Sequence, residues 1–478
     1  MNTQDNNQAQ LEPDTGSFRD RDGRIYLHDD RVFRGLSKAA LENYQKVIET
    51  KFYRKFSKAG LLVNTVEVES LDNPLPINVQ QQWAGFLEHE RVAVISYPYE
   101  WGFSMLKSAA LLQLRLTAAA IKEGFTLKDA SPYNIQFVGN KPVFIDIASF
   151  EALREGEPWS AYRQFCEMFL FPLMLQSYKG VNFQPFMRSR IDGIDVQTAG
   201  KLFGFRDRFR KGVFGNVWLQ AKLDRRFGGS SENVRSSLKS AGFNRELILV
   251  NIRKLKKLIT ALSWEGDGSE WGDYTSFHNY SDEDHAQKEA FIAHCVEQGE
   301  PGTVWDIGCN TGQFSSIAAQ HCKQVVATDI DHFAVERLYR NPEIPANVLP
   351  LVQNVADPSP NWGWRNLERR DLQFRSQPGM VLCLALIHHV VITANIPLAE
   401  FIAWLASVTD QLVIEFVSRD DDKVETLLRN KEDKYWDYRQ DYLEEQLGRY
   451  FEIREQIGLR DEKRQLYWCQ KLASFSDE

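Results

Sequence analysis

Cysteine pairs, long apolar runs and an excess of positive charge are all missing from this 478-residue sequence. Its six cysteines form no C-x-x-C pair, which argues against a disulfide framework or a zinc site and favours a reducing compartment. The longest apolar runs, such as 380–392, are interrupted by histidines and are too short to span a bilayer. The polar N-terminus has no apolar signal-peptide core. We therefore expect a cytoplasmic protein with no membrane span.

Composition and charge narrow the class of protein further. Apolar residues make up 43% and charged residues 26% of the chain, as in ordinary globular proteins. The length favours two or three domains. A net charge of −8 makes nucleic acid an unlikely partner. The stretch 186–257 is locally basic, and we expect mostly solvated helix faces there, with phosphate or acidic-substrate binding as the alternative.

Changes in composition predict four segments. They are a disordered tail (1–20), an α+β domain (21–225), a basic helical linker (226–264) and an α/β domain (265–475). The elements predicted for the first domain are a hairpin at 24–37, a helix at 38–59, strands at 61–68 and 92–97, a helix at 105–121, and a hairpin formed by 135–138 and 143–147.

Alternating strands and helices after Gly302 predict a doubly wound sheet. The strand 303–307 runs into the loop Gly308-Cys309-Asn310-Thr311-Gly312. Glycine permits a tight turn at 308 and close helix packing at 312, so the backbone between them can approach a ligand. Asn310 tolerates a positive φ better than other residues with side chains.

An acidic residue follows this loop at the spacing that a nucleoside site requires. The strand 324–328 ends at Asp329, about twenty residues beyond the glycine loop, where a carboxylate binds ribose hydroxyls. The loop has neither the G-K-[ST] of a phosphate cradle nor the G-x-G-x-x-G of a dinucleotide site. The loop, the strand and the acid together form a strong signal.

These residues resemble motif I of class I S-adenosylmethionine (SAM)-dependent methyltransferases. The resemblance implies a Rossmann-like fold and SAM as cofactor. Asp306, Gly308, Asn310 and Gly312 would line its methionine part, and Asp329 would bind its ribose. Asp357 would bind the adenine amine, or would instead cap a turn before Pro358.

Three further side chains are predicted at the same sheet edge. The fourth strand, 379–387, delivers His388 and His389 at the edge where open α/β sheets bind ligands. Either histidine could take a proton from a substrate hydroxyl, or could pack locally. Glu415 follows the next strand as a weaker substrate-contact candidate. Upstream, the aromatic segments 271–274 and 278–280 would close over the cofactor or pack on the preceding domain.

Three stretches of the sequence resemble one bacterial subfamily of these methyltransferases, some of whose members are labelled nodulation-associated. These stretches are 354–364, 384–389 and 414–417. The resemblance covers about 265–475. It implies no particular methyl acceptor.

A second group of candidate functional residues lies in the N-terminal part of the chain. Asp129 is followed after five residues by Asn134, and Asp146 ends a strand twelve residues later. In phosphoryl transfer, the first Asp orients the attacking hydroxyl, and the Asn and second Asp hold the metal ions. This spacing resembles that of protein-kinase-like enzymes, including small-molecule kinases.

The front domain also departs from the kinase pattern. Leu127 stands where the catalytic loop of kinases has a histidine. Ile147 and Ala148 stand where kinases have Phe-Gly after the metal-binding aspartate. No glycine-rich loop precedes Arg31. Arg34 is the nearest substitute for the phosphate-binding lysine, with Glu42 or Glu49 as possible partner. The resemblance implies either a retired kinase fold that grips the methyl acceptor or an active kinase that uses ATP and Mg²⁺.

We therefore expect a methyltransferase that acts on a hydroxyl of a small molecule or glycan, with Asp129, His388 and His389 as catalytic candidates and Asn134 and Asp146 as metal candidates. The kinase-like domain would recruit the substrate. The alternatives are a bifunctional kinase–methyltransferase acting on a glycan or metabolite and a non-catalytic SAM-binding scaffold.

Overall fold

The computed structural model describes residues 11–69, 72–154, 156–227, 244–266, 282–429, 431–459 and 462–473. We call residues 11–266 the front half and residues 282–473 the rear half. The front half contains a four-stranded sheet and two strand pairs, and the rear half contains a seven-stranded sheet.

The front half begins with an antiparallel sheet in the order β1-β2-β4-β3. Its strands are β1 (Gly23–His28), β2 (Arg31–Leu36), β3 (Thr65–Val68) and β4 (Gly85–His89). β1 and β2 form the expected hairpin, and Asp29 turns the chain with a φ of 52°. Residues 92–97 form no strand, contrary to expectation. The Ser96 amide there donates to the Gln136 side chain instead of a strand partner.

Helices cover this sheet and form the centre of the front half. The helix expected over 38–59 is in fact two helices, α1 (Lys38–Ile48) and α2 (Lys51–Lys58). They separate at Thr50, whose extended backbone and side-chain bond to the Tyr53 amide start a new helix. After the short α3 (Ile77–Gln80), the long α4 (Phe103–Lys122) is largely buried and confirms the helix expected at 105–121.

Two strand pairs follow α4. They are β5 (Phe125–Leu127) with β8 (Phe150–Ala152), and β6 (Ile135–Val138) with β7 (Lys141–Phe144). The second pair is the expected hairpin, turned by Gly139 at a φ of 59°.

The remaining front-half helices include one that was expected in a linker. They are α5 (Tyr162–Phe165), α6 (Phe171–Lys179), α7 (Gln184–Ser189), α8 (Val196–Leu202), α9 (Gln220–Phe227) and α10 (Arg245–Ala261). Helix α10 lies within the basic helical linker expected over 226–264; its buried residues Ile248, Ile252 and Ile259 join the main core, and the helix packs on α4. Lys107 of α4 donates to the Thr260 carbonyl near the end of α10.

The rear half is the doubly wound, Rossmann-like sheet that the sequence predicted. Its strands are β9 (Thr303–Ile307), β10 (Gln324–Asp329), β11 (Val348–Val352), β12 (Met380–Cys383), β13 (Gln411–Val417), β14 (Phe451–Leu459) and β15 (Arg464–Lys471). The order is β11-β10-β9-β12-β13-β15-β14. The first five of these are parallel, and β15 runs antiparallel to both neighbours. The order reverses between β9 and β12, which makes their carboxyl ends a switch point where such folds bind ligands.

Helices accompany the strands of this sheet. They are α11 (Asp282–Gly299), α12 (Gln313–Ala318), α13 (His332–Arg340), α14 (Leu372–Arg375), α15 (Leu398–Val408), α16 (Asp422–Leu428) and α17 (Gln440–Tyr450). Among the residues that the structure describes, no helix is both long and apolar enough to cross a membrane.

Residues 11–20 do not behave as the disordered tail that the composition suggested. Thr15 donates to the Leu367 carbonyl of the rear half at 3.0 Å, and Arg19 forms an ion pair with Glu368. Asp20 then binds Arg34 on β2 at 3.0 Å. These polar contacts and the packing of Leu11 on the cluster of Tyr26 and Phe33 fix the segment between the two halves.

The two halves share a large polar and aromatic interface. At the start of α4, the Ser104 amide donates to Glu336 of α13 at 2.8 Å, which places a carboxylate where a helix N-terminus favours negative charge. The Arg370 amide donates to the Tyr97 hydroxyl. Between them, Arg375 of α14 and Glu100 form an ion pair at 2.5 Å, with side chains that are only 3% and 0% exposed.

We expect Glu100→Gln to destabilise the protein by about 3–5 kcal/mol, because it leaves the Arg375 guanidinium buried without a counter-charge. The thermal unfolding midpoint measures this loss. Glu88→Gln is the matched control, since its pair with Arg31 is exposed and should be worth less than about 1 kcal/mol.

The double variant Glu100→Leu/Arg375→Met removes both charges and should recover most of the loss. If the double variant instead loses as much stability as Glu100→Leu and Arg375→Met lose together when made separately, the two side chains are not energetically coupled.

Candidate functional site

The glycine loop has the backbone conformation that its sequence predicted. Gly308, Asn310 and Gly312 have φ values of 77°, 50° and 83°. A Cβ on Gly312 would lie 2.3 Å from the Leu338 side chain, so this glycine allows α12 and α13 to pack closely. Gly308 and Asn310 face the cavity described below, whereas Gly312 is not among its lining residues.

Asp329, at the end of β10, fixes this loop from the side. One carboxylate oxygen accepts the Asn310 amide at 2.8 Å, and the other accepts the Asp331 amide at 2.8 Å. Burial raises the pKa of Asp329 above its usual value. Each carboxylate oxygen keeps a second lone pair, so the group can still accept hydrogen bonds from two ligand hydroxyls.

Asp306, the second acid of the loop region, lies inside β9. Burial raises its pKa to about 6, although a hydrogen bond from the Ser315 hydroxyl at 2.5 Å acts in the opposite direction. The carboxyl group is therefore mostly ionised at neutral pH and lies at the floor of the site. A carboxylate held in this state favours a cationic ligand.

These residues line a cavity of about 540 Å³ at the carboxyl ends of β9, β10, β11 and β12. That volume is in the range of small-molecule sites. The predicted residues that line it are Asp306, Gly308, Asn310, Asp329 and His389. The cavity lies at the switch point of the sheet, as the sequence analysis expected.

Two buried polar atoms in the cavity wall fit a polar ligand. The side-chain oxygens of Asn310 and Gln353 are buried and have no hydrogen-bond partner among the described residues. A buried acceptor without a partner is costly, and a bound nucleoside with amino and hydroxyl groups would satisfy both. These hydrogen-bond acceptors therefore fit the cofactor that motif I implies.

Asp357 lies outside this cavity, in contrast to the other acids. Its side chain is 70% exposed, and both carboxylate oxygens accept hydrogen bonds from Arg188 of the front half, at 3.0 and 3.1 Å. The cavity wall is formed instead by the residues just before it, 353–356. The strand β11 ends at Val352, five residues before Asp357, which leaves Asp357 beyond the ligand edge.

The structure distinguishes the two histidines that the sequence could not. His388 is buried outside the cavity wall, and neither of its ring nitrogens has a partner among the described residues. His389 lines the cavity, and its ring centroid lies 4.2 Å from that of His388. Burial, with a smaller effect of Lys423, lowers the pKa of His389 to about 4. His389 is therefore a neutral imidazole at physiological pH.

Glu415 belongs to a buried ionic network at the same end of the cavity. Lys288 binds it at 2.6 Å and Arg464 at 3.5 Å, and Arg464 also binds Asp421 at 3.0 Å. Lys288 and Arg464 line the cavity, whereas Glu415 lies behind them. Burial lowers the pKa of Lys288.

Neither of these cations was predicted from the sequence. Lys288 lies on the apolar face of α11, four residues before Ile292 and seven before Cys295. Arg464 lies at an inward position of β15, two residues before the buried Leu466. The signal that could have identified both is a charged residue at a position where the helix or strand is otherwise apolar. The aromatic segments 271–274 and 278–280, predicted to cap the site, lie outside the described residues.

The second group of candidate functional residues surrounds Arg34. Its guanidinium binds Asp146 at 2.5 Å and Asp20 at 3.0 Å. The partners proposed from the sequence, Glu42 and Glu49, are not those that the structure gives; Glu49 binds Arg54 instead. Helix α1 therefore does not supply the counter-charge of Arg34.

Asp129 and Asn134 lie in the loop beside this ion pair. Burial and the nearby Asp146 carboxylate raise the pKa of Asp129. Hydrogen bonds from the side chains of Asn134 and Gln164 to Asp129 act in the opposite direction. Within the described residues, no group of three His, Cys, Asp or Glu side chains is arranged to hold a metal ion. With Asp146 engaged by Arg34, this donor set does not fit Mg²⁺ and ATP.

Comparison with solved structures finds several methyltransferases similar to part of this chain. The N-methyltransferase NodS from Bradyrhizobium japonicum WM9 is 12% identical, with a TM-score of 0.29 over 40% of this chain and 98% of NodS. The magnesium protoporphyrin IX methyltransferase ChlM from Synechocystis PCC 6803 is 19% identical, with a TM-score of 0.29 over 43% of this chain and 90% of ChlM.

Comparison with known sequences covers nearly the whole chain. No protein-family model matches it. The nodulation protein NoeA of Rhizobium meliloti (strain 1021) is 32% identical over 455 residues, which are 95% of this chain and 94% of that protein. An alignment over this length includes the front half, the interface and the glycine-loop cavity. The chain therefore belongs to the NoeA family.

Proposed function

We propose that this protein is a SAM-dependent methyltransferase that acts on a hydroxyl of a small molecule or glycan. The observation that carries the proposal is the cavity at the switch point, where Asp329 and the unpaired side-chain oxygens of Asn310 and Gln353 meet. SAM supplies a methyl group from its sulfonium sulfur and leaves as S-adenosylhomocysteine.

The residues of the cavity divide into three parts under this proposal. Asp329 would accept hydrogen bonds from the ribose, and Gln353 would hold the adenine in place of Asp357. The backbone at Gly308 and Asn310 would hold the methionine part. Asp306 favours the positive charge of the ligand, because its carboxylate is ionised above about pH 6.

His389 is the proposed general base, in preference to His388 and Asp129. As methyl transfer proceeds, the acceptor oxygen forms a bond to the methyl carbon, the sulfur–methyl bond breaks, and the hydroxyl proton passes to the neutral imidazole of His389. Most of the rate enhancement comes from alignment of the two reactants, with a smaller contribution from the base.

The front half is proposed to recruit the acceptor. The ion pairs of Arg34 with Asp146 and Asp20 favour this role over phosphoryl transfer, because Asp146 is engaged by a cation where a kinase needs a metal ligand. A bifunctional kinase–methyltransferase stays the alternative, since Asp129, Asn134 and Asp146 are grouped. A SAM-binding scaffold is the other alternative.

We expect Asp329→Ala to weaken SAM binding about 10- to 100-fold, because hydrogen bonds to a charged group contribute about 1.5–3 kcal/mol each. Isothermal titration calorimetry with SAM measures this change. Asp357→Ala is the matched control and should bind like the wild type, since its carboxylate lies outside the cavity. Unchanged binding by Asp329→Ala would refute the proposed cofactor site.

We expect His389→Gln to lower kcat about 100-fold without changing SAM affinity. Transfer of radiolabelled methyl groups into fractionated extract gives the assay and identifies the acceptor. His388→Leu should have a much smaller effect, because the His388 nitrogens make no described hydrogen bonds.

The wild-type rate should show no loss from His389 ionisation between pH 8 and pH 6. At saturating SAM, which offsets the weaker binding expected when Asp306 is protonated near pH 6, the rate should fall through His389 only as the pH approaches about 4, where the imidazole becomes protonated. An inflection near pH 6.5 that is lost in His389→Gln would contradict the buried, neutral state of this histidine. SAM binding without methyl transfer to any fraction would favour the scaffold.

Purified protein should hydrolyse ATP no faster than Asp146→Ala, because Arg34 occupies the carboxylate that a metal ion would need. Release of inorganic phosphate in the presence of Mg²⁺ is the measurement. Hydrolysis by the wild type that disappears in Asp146→Ala would support the bifunctional alternative instead.

A further inference from the structure

Three phenylalanines project into solvent from one region of the front half. Phe205, Phe209 and Phe214 are 65%, 82% and 60% exposed, although Phe is among the residues that proteins most often bury. Phe205 and Phe209 contact each other edge to face, with ring centroids 6.3 Å apart. Phe214 lies four residues before Trp218 in the same helical segment.

Arg208 connects Phe205 to a fourth ring, that of Trp218. Its guanidinium carbon lies 4.5 Å from the centroid of Phe205 and 3.3 Å from that of Trp218. Phe209, Phe205, Arg208 and Trp218 therefore form a chain of contacts, and the exposed Phe214 lies in the same helical segment as Trp218. Exposed apolar areas of this kind mark sites for other proteins or for membranes.

The charge around the cluster is strongly positive. Between Val196 and Lys222 the chain has six basic residues and one acidic residue, Asp207, whereas the whole chain has a net charge of −8. Asp207 is buried and bound to Lys179 and Arg210. The basic residues are Lys201, Arg206, Arg208, Arg210, Lys211 and Lys222.

We propose that this area, the basic aromatic surface (Lys201, Phe205, Arg206, Phe209, Lys211 and Phe214), binds the surface of an anionic membrane. Exposed lysine and arginine attract anionic headgroups, and the phenylalanines enter the boundary between headgroups and acyl chains. The positive charge of this surface is complementary to that of such a membrane.

Single-stranded nucleic acid fits the cluster less well. It needs a series of open aromatic faces on which successive bases stack, and the Arg208 guanidinium already covers one face of Phe205 and one of Trp218, so that Phe209 and Phe214 are left for stacking. Insertion into a membrane requires only that the rings project from the surface. The proposal does not depend on methyl transfer, because none of these residues lines the rear-half cavity.

Co-sedimentation of the full chain with vesicles tests the proposal. We expect binding to phosphatidylcholine vesicles that contain about 30% phosphatidylglycerol and little binding to phosphatidylcholine alone. Binding should decrease when sodium chloride is raised from about 0.1 M to about 0.5 M, because salt screens exposed charges.

Two variants assign the binding to this surface. Lys201→Gln/Lys211→Gln should lower the partition coefficient about 5-fold for each lysine replaced. Phe209→Ser/Phe214→Ser should lower it at least about 10-fold by removing the inserted rings. Trp436→Ser is the matched control, since Trp436 is 70% exposed on the rear half and lies between Asp433 and Asp437. SAM binding by each variant verifies that it is folded.

Failure of the wild type to bind anionic vesicles at low salt would overturn the proposal. Equal binding by the wild type and both variants would overturn the assignment to this surface. The last measurement is binding of a labelled single-stranded oligonucleotide by the wild type and the variants. If the variants lose affinity for the oligonucleotide and keep their affinity for vesicles, the surface binds nucleic acid instead.

Discussion

The buried ion pair between Glu100 and Arg375 joins the two halves, and both candidate sites depend on it for their position. Arg375 ends α14, just before β12, the strand that leads to His389. Glu100 lies in the turn before α4, the helix that leads to the Asp129 loop. A buried charge must be paired, so neither segment can move away without leaving the other charge uncompensated. Together with the contacts of Glu336 with Ser104 and of Asp357 with Arg188, this ion pair fixes the rear cavity and the front loop relative to one another.

Buried charge pairs also shape the electrostatics of the rear cavity. Lys288 and Arg464 are held at its wall by Glu415 and Asp421 from behind, while Asp306 and Asp329 lie on the glycine-loop side. The cavity wall therefore carries carboxylates and cations together: Lys288 lies near Asp306 and opposes the rise of its pKa, and Lys423 lies near His389. Burial and Lys423 keep the His389 imidazole unprotonated, which is the state that the proposed general base requires.

The sequence predicts well whatever depends on local chemistry. The glycine loop, Asp329 and the hairpins at Asp29 and Gly139 follow from φ preferences and spacing, and all have the expected conformation. Contacts between distant segments could not be predicted. Asp357 is bound by Arg188 from the front half, Arg34 is paired with Asp20 from the supposed tail, and α10 fills a core position. Each of these outcomes depends on a partner that is distant in the sequence.

The interface between the halves also determines what the basic aromatic surface can do. Were the halves joined by a flexible linker, membrane binding through the front half would only raise the local concentration of the rear cavity. Because buried and bidentate contacts join them, a front half held at a membrane also fixes the direction in which the cavity faces. Orientation of this kind favours acceptors presented at the membrane over acceptors free in solution, because effective concentration depends on geometry as well as on distance.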